Sequence, residues 1–243
     1  MKTIDMKTIG LLGGMSWEST ASYYKALNIG VKQALGGLHS AKVSLISVDF
    51  HDIALLQQQG DWQSASTILS SEAQRVEASG AECLLICTNT MHKIAEDIQA
   101  NINIPLLHIA DATGAKLKKD KIKKVGLLGT KFTMTEEFYK GRIKEKFNIH
   151  AIVPNDANQT IVHNIIYDEL CQGVIKAESK QAYLSIIEKL VEHGAEGIIL
   201  GCTEIGLLVQ QTDTEAPLYD TTQIHVDAAI DWALNTNDIT QFR

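Results

Sequence analysis

The sequence feature that most constrains the fold is a segment that occurs twice, in residues 80–92 and residues 194–205. Each copy begins Gly-Ala-Glu, continues as a short apolar run and ends in small polar residues. Such a run, bounded by turn residues, is typical of a buried strand. Aligned without a gap, the copies place Thr88 opposite Cys202. In α/β proteins functional groups gather where such strands end, so both positions are candidate site residues.

Two further segments repeat in the same order. Residues 124–130 resemble residues 8–14, and residues 216–219 resemble residues 104–107. A period of about 115 residues is too long for a solenoid. It predicts an α/β protein with two pseudo-symmetric domains, each a short parallel sheet of about four strands flanked by helices. The carboxyl ends of both sheets are expected to face one active-site cleft. We expect the first domain at residues 1–115, the second at 116–218, and a C-terminal helix within 219–243 that packs back on the first domain.

Hydrophobic periodicity and turn residues give the expected elements. Strands are predicted at residues 8–12, 43–50, 83–86, 106–109, 124–129, 151–153 and 197–200. Helices are predicted at residues 18–35, 64–79, from the third strand to residue 100, at 135–147, 157–173, 179–192 and from 220 to 234, with a loop or short helix at 51–60.

Composition excludes several classes of protein. The net charge of -7 gives no reason to expect nucleic acid or an anionic membrane as a partner. No apolar run is long enough to span a bilayer, and residues 1–10 lack the plan of a signal peptide, so we expect a cytoplasmic protein. Met-Lys-Thr-Ile occurs twice, which makes Met6 a candidate natural start and residues 1–5 an upstream extension. The four cysteines are expected to be free thiols, and no Cys or His spacing predicts a metal site.

Cys202 is the residue to which the pattern assigns chemistry. It stands between a predicted strand and a predicted helix start, where amides and the helix dipole lower a thiol pKa. A thiolate there can act as a base or as a nucleophile. Thr88 to Thr90 and Thr203 with Glu204 occupy the equivalent strand ends of the two copies.

The loops after the first strand of each half indicate a small anionic ligand. They contain Gly13-Gly14 and Gly129-Thr130, which let the backbone approach a ligand and offer amides to a carboxylate. Neither loop has the spacing of a dinucleotide or Walker motif. Met15, Trp17 and Phe132 either close over this ligand or pack helices.

Three motifs resemble the aspartate/glutamate racemase family, which needs no pyridoxal phosphate. They are residues 10–15, Asn89-Thr90-x-His92, and residues 201–204, and the resemblance extends over residues 7–234. It implies two α/β domains, a homodimer, no cofactor and an amino-acid substrate in the cleft. In that family two cysteines flank the substrate Cα; one takes the proton as a thiolate and the other returns a proton to the opposite face.

The sequence departs from that family at the first catalytic position. The family motif Cys-Asn-Thr is replaced here by Thr88-Asn89-Thr90, as in some members that carry the threonine. Cys87 is then the last strand residue, with its side chain on another face. The resemblance therefore implies Cys202 as the thiolate and Thr88 as a hydroxyl that donates or relays a proton.

The implied substrate-binding residues are Met15, Gln57, Asn89, Thr90, Thr130, Thr203 and Glu204. Family members that act on aspartate hold its side chain with an Arg and a Lys. No Arg occurs between residues 43 and 74, and Cys171 stands at the Lys position. Gln57 is the residue we select as a neutral clamp, with Lys176 and His163 as alternatives. The expected substrate is aspartate or glutamate, followed by small polar amino acids such as homoserine.

Other functions remain open on the sequence alone. The same fold resembles hydantoin racemases, maleate isomerases and arylmalonate decarboxylases, which makes a decarboxylase or isomerase of a small dicarboxylate one alternative. A non-catalytic binder of small carboxylates is the other. Loss of turnover in step with thiol alkylation separates an enzyme from a binder.

Overall fold

The computed structural model describes residues 5–234. The first Met-Lys-Thr-Ile copy and the last nine residues of the expected C-terminal helix segment lie outside the described residues. By their contacts, the described residues form two units. The first comprises the chain up to Ile109 and again from His225, and the second comprises Ala110–Ile224. The domain boundaries expected at residues 115 and 218 stay predictions, because contacts do not measure independent folding.

Helices, singly or in pairs, separate the consecutive strands of the chain. In order they are β1 (Ile9–Gly13), α1 (Trp17–Leu35), β2 (Val43–Ser47), α2 (Phe50–Gln59), α3 (Trp62–Ala78), β3 (Cys83–Ile86), α4 (Ala95–Ala100), α5 (Ile109–Lys119), β4 (Lys124–Gly129), α6 (Lys131–Thr135), α7 (Glu137–Phe147), β5 (His150–Ile152), α8 (Asp156–Asp168), α9 (Ala177–Glu192), β6 (Ile198–Gly201), α10 (Ile205–Leu208), β7 (Leu218–Asp220) and α11 (Thr221–Ala233).

The first unit is built on a parallel sheet with strand order β2-β1-β3. Alternate residues of β1 and β3 enter two different cores, as the period of a strand requires. Leu12 and Ile86 pack with α3 on one side, whereas Leu11 and Cys87 pack with α1 and α11 on the other. Helices therefore cover both faces of this sheet, which is the arrangement expected for buried parallel strands.

The second unit contains a parallel sheet with strand order β5-β4-β6-β7. Its core packs Leu128, Ile198 and Leu200 against helices α8 and α9. The predicted α/β class, with two parallel sheets flanked by helices, is confirmed.

The internal repeat is confirmed at the level of single hydrogen bonds. Pro105 O accepts a hydrogen bond from Leu84 N at 2.9 Å, and Pro217 O accepts one from Ile198 N at 2.8 Å. The glycine before each third strand has a positive φ, +90° at Gly80 and +88° at Gly194. Equivalent residues therefore make equivalent turns in both units.

In each unit a glutamine stabilises the turn that leads into Leu106 or Leu218, which we call the corner of the unit. The Gln99 amide donates to Ile102 O and Ile104 O, and its Oε1 accepts from Leu106 N at 2.7 Å. The Gln211 amide donates to Thr214 O and Ala216 O, and its Oε1 accepts from Leu218 N at 2.9 Å.

Two element predictions for the first unit are wrong. In place of a fourth strand at residues 106–109, Leu106 makes a single bridge to Leu84 and α5 begins at Ile109. Within residues 5–234 the first sheet therefore has three strands and the second has four. The strand predicted at residues 43–50 ends at Ser47, because Asp49 caps α2 by accepting a hydrogen bond from His51 N.

Candidate active-site segments

Thr88 lies where β3 ends, and a histidine fixes its backbone. The Thr88 side chain is half-buried, and Asn89 and Thr90 are buried. His92 Nδ1 lies 2.8 Å from Thr88 O, and Ile109 N donates to His92 Nε2 at 3.2 Å. A carbonyl oxygen can only accept and an amide can only donate. The His92 ring therefore carries its proton on Nδ1 and is neutral.

A second histidine, His225, lies close to His92. The ring centres of His92 and His225 are 5.8 Å apart. His225 Nδ1 accepts from Tyr23 OH at 2.9 Å, and Nε2 donates to Leu107 O at 2.7 Å. Burial lowers the pKa of His225 to about 4, so this ring is also neutral near neutral pH. His92 therefore holds the Thr88 carbonyl oxygen, and the His225 ring beside it is itself held by two hydrogen bonds.

The Cys87 side chain lies in the core of the first unit. It is fully buried among the residues that pack against α1 and α11. Burial raises the pKa of the Cys87 thiol far above its ordinary value. The Cys87 side chain therefore belongs to the core, whereas Thr88 is half-buried and is not among the residues of that core.

In the loop after β1, an amide that we expected to bind a ligand already makes a hydrogen bond within the first unit. Gly14 N donates to Thr20 Oγ1 at 2.8 Å, so this amide is not directed at a ligand as we expected. Met15 is buried in the core, whereas Trp17 is 67% exposed at the start of α1. The predicted clamp residue Gln57 is buried, and its Nε2 lies 2.8 Å from Met91 Sδ.

Cys202 follows β6 in the second unit, and its thiol is hydrogen-bonded to a carboxylate. Its half-buried Sγ donates to Glu204 Oε2 at 2.9 Å. Thr203 Oγ1 donates to the same oxygen at 2.5 Å. Glu204 is only 4% exposed. These three consecutive residues therefore form one hydrogen-bonded group.

The predicted lowering of the Cys202 pKa is wrong. Burial raises the pKa of this thiol well above its usual value, and the neighbouring Glu204 charge raises it further. The Glu204 N–H acts in the opposite direction but is outweighed. Helix α10 has only four residues, so its dipole is too short to compensate.

Tyr167 on α8 and Cys171 in the turn after it lie close enough to Cys202 for their charges to interact with it. His163 and Tyr167, four residues apart, lie on one face of α8, whereas Cys171 falls in the short helical turn Leu170–Gln172, after α8 has ended at Asp168. The ring centres of His163 and Tyr167 are 4.8 Å apart. Burial and then the Cys202 charge raise the pKa of Tyr167. Sequence reasoning missed Tyr167, although its spacing from the two named residues was a usable signal.

The remaining predicted residues of the second unit have local roles. Thr130 is buried and caps α6 by accepting from Thr133 N at 3.4 Å. Lys176 is an alternative clamp for the substrate side chain, and its Nζ lies 3.2 Å from Glu169 Oε1, with which it forms an ion pair. His163 Nδ1 accepts from Lys131 N at 3.2 Å, and burial followed by the Lys131 charge lowers the pKa of this histidine.

Neither a metal site nor a membrane span is found in the part of the chain that the structure describes. Across residues 5–234, His, Cys, Asp and Glu side chains do not converge in threes as a metal ion would need. The helices in the same range include none with the length and apolarity to cross a membrane.

Comparison with known proteins defines the class. Residues 12–229 match the model of the Asp/Glu/hydantoin racemase family. That match covers most of the chain, and the chain belongs to this family.

Individual relatives agree with the assignment. The chain is similar to a "putative Asp/Glu racemase" from Yersinia pestis, with 54% identity, a TM-score of 0.88 and coverage of 94% of this chain and 100% of that one. It is also similar to an aspartate racemase homologue from Pyrococcus horikoshii OT3, with 35% identity, a TM-score of 0.81 and coverage of 94% and 99%. The broad specificity amino-acid racemase RacX of Bacillus subtilis (strain 168) is 26% identical over 61% of this chain and 63% of its own length.

Proposed function

We propose that this protein racemises an amino acid without a cofactor, with Cys202 taking the Cα proton and Thr88 delivering a proton to the opposite face. The observation that carries the proposal is the pairing of a half-buried thiol with a buried carboxylate directly after a strand. The same position of the other unit carries the Thr88 hydroxyl, and the carbonyl of this residue is hydrogen-bonded to His92. Family membership supports racemase chemistry, and this arrangement supports an asymmetric form of it.

Aspartate, glutamate or a small polar amino acid is the substrate class we propose. Asn89, Thr90, Thr130 and Thr203 supply hydroxyl and amide groups suited to a zwitterion, and Met15 and Gln57 supply less polar contacts. The neutral Gln57 discriminates charge less sharply than an arginine would. RacX, a relative, is described as having broad specificity. A homodimer, as the family resemblance implies, is tested by sedimentation equilibrium.

The direct test is incubation with each L- and D-amino acid in deuterated water, followed by NMR for Cα exchange and by chiral analysis for inversion. We expect both with an acidic or small polar amino acid. Cys202→Ser should lower exchange by roughly 100- to 10,000-fold, the range of a general base. Cys171→Ser replaces the neighbouring half-buried thiol and shows whether a second sulfur contributes to the loss. Binding without exchange would favour the non-catalytic binder, and loss of a carboxyl group would favour a decarboxylase.

A further inference from the structure

The Cys202 thiol presents a chemical difficulty for a base. A thiolate is needed to take a Cα proton, yet burial and the Glu204 charge both oppose loss of the thiol proton to solvent. Ionising Cys202 beside a charged Glu204 would leave two negative charges on atoms that lie 2.9 Å apart. Like charges this close resist simultaneous ionisation.

The contacts of Glu204 offer a way around this difficulty. Its Oε2 already accepts the Cys202 S–H, and its backbone N–H is directed at the same sulfur. One residue can therefore accept the proton and stabilise the thiolate that remains. The Thr203 hydroxyl, which donates to the same Oε2, fixes the position of the carboxylate.

We propose that Glu204 is the proton acceptor that converts Cys202 into its thiolate, rather than a contact for the substrate. This inference rests on the proposed function for its role in turnover. The transfer moves one negative charge within a buried pair and creates no second charge. It therefore avoids most of the desolvation cost that ionisation to solvent would carry.

The proton balance closes over one turnover. The S–H bond breaks and an O–H bond forms on Glu204, leaving a thiolate beside a neutral carboxylic acid. The thiolate takes the Cα proton, which re-forms S–H and leaves a carbanion. Thr88 protonates the carbanion on its other face and regains a proton from water. Glu204 then releases its proton, which neutralises the hydroxide that remains.

Other titratable groups that face the pair come from three segments. Tyr167 lies on α8, Tyr183 lies on α9, and Cys171 lies in the turn after α8. The charge of Glu169 contributes to raising the pKa of Tyr183. Burial raises the pKa of both tyrosines, so they remain neutral over the range of the test. Cys171 is a second half-buried thiol, so the adduct must be assigned to its residue.

The test is the pH dependence of Cys202 alkylation by iodoacetamide, a neutral reagent, with the adduct located by peptide mass spectrometry. Only the thiolate reacts. If the proton moves to Glu204, the thiolate fraction of the pair does not depend on pH while the pair holds one proton. We therefore expect a plateau in the wild-type protein around neutral pH. In Glu204→Gln the rate should instead rise about tenfold per pH unit.

The variants separate proton transfer from simple charge repulsion. Between about pH 6 and 8 the alkylation rate of Glu204→Gln should rise roughly a hundredfold, because its thiolate fraction rises about tenfold per pH unit, whereas the wild-type rate should stay constant. If the carboxylate merely repels a thiolate, the rates of wild type and Glu204→Gln will both rise about tenfold per pH unit, and the proposal is wrong. Glu215→Gln removes an exposed carboxylate of the same unit and should keep the plateau.

The wild-type profile keeps the proposal testable if Glu204→Gln does not fold, and Cα exchange adds a second readout if it does. A rise of about tenfold per pH unit in the wild-type protein alone would overturn it. Cα exchange should fall by roughly 100- to 10,000-fold in Glu204→Gln and recover partly in Glu204→Asp. If the wild type exchanges no amino acid, the proposed function fails, while the alkylation profile still decides the role of Glu204.

Discussion

At the scale of single residues, the two candidate catalytic positions differ in what holds them. Thr88 is held through its carbonyl oxygen by a neutral histidine, which leaves its hydroxyl outside that contact. Cys202 is held through its sulfur by a carboxylate. A hydroxyl fixed by its backbone suits proton donation, and a thiol bonded to a base suits proton abstraction.

Cys87→Ala should keep the Cα exchange activity of the wild type, because the Cys87 thiol is buried in the core. Removing the sulfur leaves a small cavity and should lower the free energy of unfolding by about 1 kcal/mol. Exchange by NMR and urea denaturation measure the two effects. Loss of exchange in a folded Cys87→Ala protein would make Cys87, not Thr88, the first catalytic position.

His225 should make the protein sensitive to mild acid. Its pKa is about 4 in the folded chain against 6.5 for the ordinary side chain, so between these values the unfolded state binds a proton that the folded state does not. Its contribution to stability therefore falls as pH drops from 6.5 to about 4, by up to about 1.4 kcal/mol per pH unit.

Urea denaturation at several pH values measures this contribution as a difference in slope. His225→Gln should flatten the dependence of the unfolding free energy on pH over that window. His39→Gln, which removes an exposed histidine, is the matched control. Equal slopes in wild type and His225→Gln would show that His225 does not carry the acid sensitivity.

At the scale of helices and strands, sequence patterns predicted what local residues determine. The apolar run at 83–86 became β3 with the predicted ends, because a buried strand needs only hydrophobic length and turn residues. Helix α5 was missed, and the ion pairs that stabilise it are not visible in its own sequence. Its fully buried Asp111 pairs with Arg142 at 2.5 Å and Lys146 at 2.8 Å, partners far away in the sequence.

The chemistry of the site could be predicted only in part for the same reason. The repeat located Thr88 and Cys202, since that needs only alignment. The raised pKa of Cys202 could not be predicted, because it depends on tertiary burial and on the short length of α10. The single bridge at Leu106 likewise reflects tertiary geometry, because the equivalent Leu218 begins a full strand.

The two corner glutamines should differ in their contribution to stability. Gln99→Ala removes the partner of the Leu106 N–H and should lower the free energy of unfolding by about 1–3 kcal/mol, the cost of a buried unsatisfied group. Gln211→Ala removes equivalent bonds, but Gln211 is exposed and water can replace them, so its cost should be smaller. Urea denaturation of both variants gives the comparison, and an equal cost would contradict the burial argument.

At the scale of the whole molecule, the proposed racemase is chemically asymmetric although its two sheets follow one plan. We take the enantiomer whose Cα–H faces Cys202 to be the L form, on the resemblance to family members that carry the threonine. The prediction is that this enantiomer exchanges its Cα proton faster than it inverts, because Cys202 can return the proton to the face it came from. The D-enantiomer should exchange no faster than it inverts, since Thr88 is a poor base. Deuterium incorporation from each enantiomer measures both rates.

Thr88→Cys is the variant that tests this asymmetry. It should raise inversion relative to exchange from the L side, because a second thiol can then serve the opposite face. The equilibrium must remain racemic in every variant, so the asymmetry is confined to individual rates. Equal deuterium incorporation from the two enantiomers in the wild-type protein would contradict an asymmetric site.

The matching corners of the two units have an evolutionary consequence. Gln99 and Gln211 make the same set of bonds around Pro105 and Pro217, which is the pattern left by duplication and fusion of a half-length gene. On that history the backbone plan was inherited twice, and the functional groups diverged afterwards. A half-length ancestor would have carried one residue at the position now split between Thr88 and Cys202. The division of labour between acid and base would then be a later specialisation of one copy.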